Sequence, residues 1–323
     1  MTDRVTIMIN PRKMLTFQAP QDPRADPITA QHGELGNKLL NLFYTAKYCF
    51  LHKEKLSLKA SGISSSNING VLDLSAITDE SLSPQSIELL FDEPTAYVNT
   101  TRDVASIHAT ASRSRVQRLI ELGFLHDLVT VNRLSPGCHY TLNGNFFHYA
   151  LMPTLEELGH FGIHVRKDVI ESVRHKYPTI DSEDSVTIHY RSGDFRNWTW
   201  GDQRLPQQYY VNAIRKIQAR YPHKELVYHL IAQDPHELRE MTKYAIGDQK
   251  VVEHSDSEGM DWISLFLSKN IICGNSTYSF TAGLYNKINV FQPEGGQQGR
   301  SIRDHSVCIP AGFQIGPATL VSY

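Results

Sequence analysis

From residue 186 onward the chain alternates short apolar runs with segments of helical period, and nothing else in its 323 residues constrains the fold as tightly. The runs 186–189, 226–232, 250–253, 270–273 and 288–291 have the length of strands. Between them, 205–219, 235–245, 258–269 and 278–286 read as helices. In the first of these, Tyr210, Ala213, Ile214 and Ile217 share one face, and Pro206 suits its first turn. Strands alternating with helices predict a parallel, doubly wound α/β sheet.

The first half is less regular. Residues 4–9 and 13–17 read as short strands, and 18–27, with three prolines, as a loop. Gly33-Glu-Leu-Gly36-Asn37 opens a helix that carries Leu39, Leu40, Phe43 and Ala46 on one side. Residues 51–110 are polar, and short strands and exposed loops are expected there. A short helix is expected at 113–122, an extended segment at 139–149, and helices from near Pro153 and over 167–177. The polar stretch 178–184 marks a boundary, which gives domains 1–178 and 179–323, each of ordinary size.

Composition excludes several classes. Lys plus Arg is 32 against 34 Asp plus Glu, a formal charge of -2, so no broad attraction for nucleic acid or an anionic membrane is expected. No run approaches the roughly 18 apolar residues of a membrane span, and residues 1–10 lack the apolar core of a signal peptide. A cytoplasmic protein is expected, the alternative being an excised lumenal domain. Cys49, Cys138, Cys273 and Cys308 lie far apart, in no zinc-ligand spacing.

In open parallel sheets ligands bind beyond the carboxyl ends of the strands. Three such ends carry polar clusters: His189-Tyr-Arg191-Ser-Gly193-Asp194, then Gln233-Asp234-Pro235, then Gly274-Asn275-Ser276-Thr277-Tyr278-Ser279. His189 and Arg191 fall on one side of a strand. Arg191 is suited to grip a diphosphate by paired hydrogen bonds. The turn 275–279 offers hydroxyls and N–H groups at a helix start, which favours anions. Asp234 is able to accept from guanine N1–H and its amino group, a donor pair adenine lacks. Each also has a plain structural reading: a surface arginine, an Asp-Pro helix cap and a Ser-Thr helix cap. Their joint placement favours a nucleoside diphosphate.

The motifs resemble one family. His189-Tyr-Arg191-Ser-Gly193-Asp194 resembles the His-x-Arg-x-Gly-Asp motif of the α-1,2-fucosyltransferases, which share a superfamily with the α-1,6- and protein O-fucosyltransferases. Pro206-Gln-Gln-Tyr209-Tyr210-Val-Asn-Ala213-Ile214 is similar to its Pro-x-x-Tyr-Tyr-x-x-Ala-Ile segment. Asp261-Trp-Ile-Ser-Leu265 and Asn275-Ser-Thr-Tyr-Ser279 resemble its Asp-x-x-x-Leu and Asn-Ser-Thr-Phe-Ser segments. Gly33-Glu-Leu-Gly36-Asn37-Lys-Leu39 resembles its amino-terminal turn, and Leu142-Asn-Gly144-Asn145-Phe146 echoes the motif closing its first domain. The resemblance covers roughly 30–292. This chain departs from it at Ser192 (a second Arg in many members), Lys38 (Gln), Gln233 (an acidic residue) and Thr281-Ala282 (a tryptophan pair).

The resemblance implies a GT-B type glycosyltransferase. Two Rossmann-like domains would face each other across a cleft, the first for the acceptor and the second for the donor. Fucose would pass from GDP-fucose to a hydroxyl of an oligosaccharide or other glycan acceptor, in α-1,2 linkage, with inversion. Arg191 would stabilise the departing β-phosphate, assisted by Asn275, Ser276, Thr277, Tyr278, Ser279 and Gly36 around the donor. His189 and Asp234 would hold guanine, and Asn37 would reach the acceptor or the β-phosphate. Asp194 would support Arg191; a base could come from Asp194 or Asp202. No metal or other cofactor is expected, and the chain has no Asp-x-Asp triplet. Two alternatives remain: another GDP-6-deoxy sugar such as GDP-rhamnose, or a non-catalytic nucleotide- or carbohydrate-binding protein on the same fold.

Overall fold

The computed structural model describes residues 6–9, 35–52, 55–59, 67–79, 87–88, 139–141, 152–193, 204–285, 287–293 and 318–322. The expected elements at 13–17 and 113–122, most of 139–149, and Asp194 and Asp202 lie outside them. The chain forms two compact units, Met1–Val165 and Arg166–Tyr323.

The first unit holds a five-stranded sheet. Its strands are β1 (Thr6–Ile9), β2 (Lys55–Lys59), β4 (Thr78–Asp79), β5 (Ile87–Glu88) and β6 (His139–Thr141), in the order β4-β2-β1-β6-β5. Every pairing is parallel. Helix α1 (Leu35–His52) packs on β1 and β2. It buries Leu35, Leu39, Leu42, Phe43, Ala46 and Cys49, a stripe at three- and four-residue spacing that includes the side expected from sequence. Helix α2 (Leu155–His160) starts in a capping box between Thr154 and Glu157, and Glu157 also pairs with Lys47 of α1 at 2.5 Å. A small antiparallel pair, β3 (Leu72–Asp73) with β7 (His164–Val165), completes the described part.

The second unit holds six strands: β8 (Ser185–Tyr190), β9 (Val227–Ala232), β10 (Lys250–Glu253), β11 (Asn270–Ile272), β12 (Asn289–Pro293) and β13 (Thr319–Val321). They lie in the order β10-β9-β8-β11-β12-β13, all parallel. The helices are α3 (Lys167–Lys176), α4 (Gln207–Arg220), α5 (Pro235–Ile246), α6 (Glu258–Leu267) and α7 (Thr277–Gly283). Chain order runs outward from β8 in one direction and from β11 in the other, the 3-2-1-4-5-6 arrangement of a dinucleotide-binding fold.

All six residues of β8 are buried, as a central parallel strand requires. Val186, Ile188 and Tyr190 join Tyr228, Leu230 and the Tyr209, Tyr210, Ala213, Ile214 and Ile217 face of α4 in one core. By the two-residue period, Thr187, His189 and His229 face the opposite side, where α6 packs on β8.

The division falls at Val165/Arg166 rather than at 178/179. Helix α3 packs on α6, and Tyr177 stacks on His254 at 3.8 Å between ring centroids. These contacts join the segment before β8 to the second unit; the polar residues at 178–184 are only its turn into β8.

Candidate functional site

The site is assembled where the strand order reverses, between neighbours β8 and β11. His189 lies in β8 and is 6% exposed; Arg191, half-buried, follows the strand directly. The turn before α7 leaves β11 beside them. A Cβ on Gly274 would sit 2.8 Å from His189 Nδ1 and 2.9 Å from the His189 carbonyl, so glycine is what lets the two strand ends close up. The Tyr278 ring lies 5.3 Å from that of His189. Two sequence clusters thus become one site.

Two tyrosines of α4 pin it from beneath. Tyr209 donates its hydroxyl to the Cys273 carbonyl at 2.7 Å, and Tyr210 donates to the His189 carbonyl at 3.4 Å. Both are fully buried.

Electrostatics set what the site binds. Burial, reinforced by the Arg191 charge, pushes the His189 imidazole down to about 3, so it is neutral at physiological pH. Its Nδ1 is buried with no hydrogen-bond partner. Arg191 is therefore the fixed cation of the β8 end. On the other side, Gly193 donates its N–H to Gln233 Oε1 at 2.5 Å, which ties the loop carrying Arg191 to the end of β9. A Cβ at residue 193 would meet the Gln233 amide.

The turn at 275–279 is buried throughout and opens α7, a helix of seven residues. Its hydroxyls turn inward. Ser276 Oγ accepts from Tyr278 N–H, and Ser279 Oγ lies 3.3 Å from the carbonyls of both Gly274 and Ser276. The helix-cap reading is realised for Ser276, while the Ser279 hydroxyl donates back into the turn; Asn275 and Thr277 sit in it at 5% exposure.

Asp234 stands at the end of β9 as expected, but it caps α5: its Oδ1 accepts from Glu237 N–H at 3.1 Å. Glu237 in turn accepts from Tyr190 at 3.2 Å and Arg204 at 3.3 Å. Gly36 and Asn37 stand in the first turn of α1, in the first unit. Asp194 lies outside the described residues.

The sequence reading passed over a fourth strand end. His254-Ser255-Asp256 follows β10, and Asp261 lies in the first turn of α6. His254 Nδ1 and Asp261 Oδ1 face each other at 3.8 Å, both without a hydrogen-bond partner. Burial pushes the Asp261 carboxyl up while His254 pulls it back. Asp261 belongs with the site because Tyr278 reaches its helix: the Tyr278 hydroxyl donates to the Glu258 carbonyl, one turn before Asp261 in α6. The signal was available in sequence, since His-Ser-Asp follows an apolar run as the other clusters do.

Among the described residues, His254, Asp256 and Asp261 also have metal-ligand character, with candidate ligand atoms within 4.8 Å of one another. The Asp256 carboxylate is already engaged by Lys176 and by Tyr177, whose hydroxyl donates at 2.6 Å. Burial opposes it, but these two hydrogen bonds hold its carboxyl below the usual range.

No family model matches the sequence, and no curated protein matches it. Solved structures do. The chain is similar to the fucosyltransferase NodZ from Bradyrhizobium, at 14% identity and a TM-score of 0.50, over 88% of this chain and 93% of that one. It is also similar to POFUT1 in complex with GDP-fucose, at 10% identity and a TM-score of 0.46, over 86% and 93%. The likeness to NodZ shows the fold: the chain is α/β, of the GT-B glycosyltransferase type expected from its sequence. No described helix is long and apolar enough to cross a membrane.

Proposed function

We propose that this chain is a glycosyltransferase that moves fucose from GDP-fucose to a hydroxyl of a glycan, in α-1,2 linkage and without a metal. The observation that carries the reading is that neutral His189, two residues before Arg191, packs against the Gly274–Tyr278 turn at the strand switch point. A permanent cation at that position suits a diphosphate. The GT-B type fold shared with a fucosyltransferase, NodZ, and the motif resemblance support a nucleotide sugar.

The acceptor hydroxyl attacks C1 of the sugar as the bond to the β-phosphate breaks, and the anomeric centre inverts. Negative charge collects on the β-phosphate, where Arg191 stabilises it through paired hydrogen bonds. Asn275 and Thr277 complete the donor pocket, with Ser276 and Ser279 shaping its turn; Gly36 is assigned to the donor as well. Asp194 supports Arg191, and Asn37 meets the acceptor or the β-phosphate. The neutral ring of His189 and the carboxylate of Asp261 hold guanine. Asp261 takes the part assigned above to Asp234, because Asp234 is bound to a helix start while Asp261 lies one turn on from the Glu258 carbonyl that Tyr278 binds.

The test is GDP release from a panel of GDP-sugars, with and without a glycan extract. Acceptor-stimulated release from GDP-fucose supports the reading. Faster release from GDP-rhamnose changes the donor. Tight GDP binding with no turnover of any sugar overturns the transferase in favour of a binding protein.

A further inference from the structure

A histidine in the middle of a buried strand requires partners. His229 lies in β9, fully buried, and burial, with His254 and Lys250 nearby, pushes its imidazole down to about 3. Its Nε2 is 3.1 Å from Thr179 Oγ1 and its Nδ1 is 3.0 Å from His254 Nε2. His254 is also fully buried and is covered by the Tyr177 ring. Its remaining nitrogen, Nδ1, faces Asp261 Oδ1 at 3.8 Å. Four side chains from four separate segments therefore stand in series, ending on the carboxylate beside Tyr278.

We infer that the Thr179–His229–His254 chain positions the carboxylate of Asp261 and so sets the base preference of the site. The inference rests on the reading that Asp261 holds guanine. Protons along the chain are assigned from the hydrogen-bond pattern. One order of single protons on the two rings gives every donor an acceptor. The Thr179 hydroxyl donates to His229 Nε2, His229 Nδ1–H donates to His254 Nε2, and His254 Nδ1–H is left for Asp261 Oδ1. The reverse order would set a ring lone pair against a carboxylate, with nothing between them. The 3.8 Å gap exceeds a hydrogen bond by under about 1 Å, so a small rotation of Asp261 closes it. An oriented N–H on one carboxylate oxygen fixes the plane of the group, and hence where it accepts from a base edge; outer-shell partners orient metal ligands in the same way. His254 acts through Asp261 and is a positioning residue.

The experiment measures GDP and ADP binding to the full chain by calorimetry, because the two nucleotides differ only in the base. D261N tests the guanine reading. H254F keeps a ring under Tyr177 and removes both nitrogens; H254N keeps an N–H near the Nδ1 position. The wild type is expected to prefer GDP, and D261N to bring the two nucleotides near parity. H254F is expected to weaken GDP by roughly tenfold, one charged hydrogen bond's worth, with ADP unchanged. H254N is expected to recover most of the loss, which a purely structural role for the ring would not produce. If H254F does not fold, H229L decides, since it removes the proton donor to His254 behind the site, and the same loss of GDP preference is expected. D261N with the wild-type preference overturns the guanine reading and the inference with it. Loss of preference in D261N while H254F, or H229L in its place, keeps it overturns the positioning alone.

Discussion

The hydroxyl of Tyr209, on α4, lies 2.7 Å from the carbonyl oxygen of Cys273, where β11 ends and the site's turn begins. Tyr210, the next residue, does the same for the His189 carbonyl of β8. One helix thus holds the two strand ends that form the site. Tyr209→Phe leaves a buried carbonyl without this donor, although the Cys273 N–H stays bound to Phe291. The expected cost is about 1–2 kcal/mol in urea unfolding, with a raised donor KM as the turn loosens. Unchanged stability and KM would show that the hydroxyl holds nothing.

Arg191 carries the proposed chemistry. Arg191→Ala is expected to lower turnover by roughly 100-fold or more, since the leaving phosphate loses its cation. Arg191→Lys keeps the charge but not the fork, and an intermediate rate is expected. Steady-state GDP release measures both. Near-wild-type turnover in the alanine variant would remove the mechanism.

Much of this was legible in sequence because each signal was local. The strand–helix alternation predicted five of the six strands of the second sheet, the short β13 being missed, and the apolar spacing after Gly36 predicted α1. The strands of the first unit between 51 and 110 run from two to five residues, too short to show a period, so they were not placed. Asp234 illustrates a local rule winning: Asp followed by Pro235 is a helix start, and the structure uses it as one. Asp261 illustrates the reverse. Its neighbours His254 and Tyr278 come from different segments, and only the folded sheet brings them together.

Gly274 and Gly193 are close-approach glycines of different severity. An alanine methyl at 274 meets the His189 main-chain carbonyl at 2.9 Å, which cannot swing aside. At 193 it meets the end of the Gln233 side chain, which can. Gly274→Ala is therefore expected to lower GDP affinity by roughly tenfold or more and to reduce Tm, at a cost typical of overpacking, about 1–3 kcal/mol. Gly193→Ala is expected to do less on both measures. Equal, mild effects would mean that the two strand ends are not packed as described.

Saturating EDTA is expected to leave turnover intact, because the stabilising charge comes from Arg191 and because Lys176 and Tyr177 already occupy Asp256 in the one metal-like cluster among the described residues. Assay of the chelated, dialysed protein reads this directly. Loss of activity that Mn²⁺ restores would contradict the proposal.

Acid stability follows from two buried imidazoles. His189 and His229 are held neutral in the fold, down to about 3, against an ordinary value of 6.5. Burial is the main cause in each, with Arg191 adding to it at His189, and His254 and Lys250 at His229. Between those values the unfolded chain takes up protons that the native state refuses. Stability is therefore full above about pH 6.5 and falls as the pH drops toward 3. Carboxylates titrate in the same window, so the test is a difference. The fall in Tm between pH 7 and pH 4 is expected to be smaller in His229→Leu than in the wild type, because one refused proton has been removed. An equal or steeper fall in the variant would mean that His229 is protonated in the folded protein, and the neutral hydrogen-bond order behind Asp261 would then be wrong.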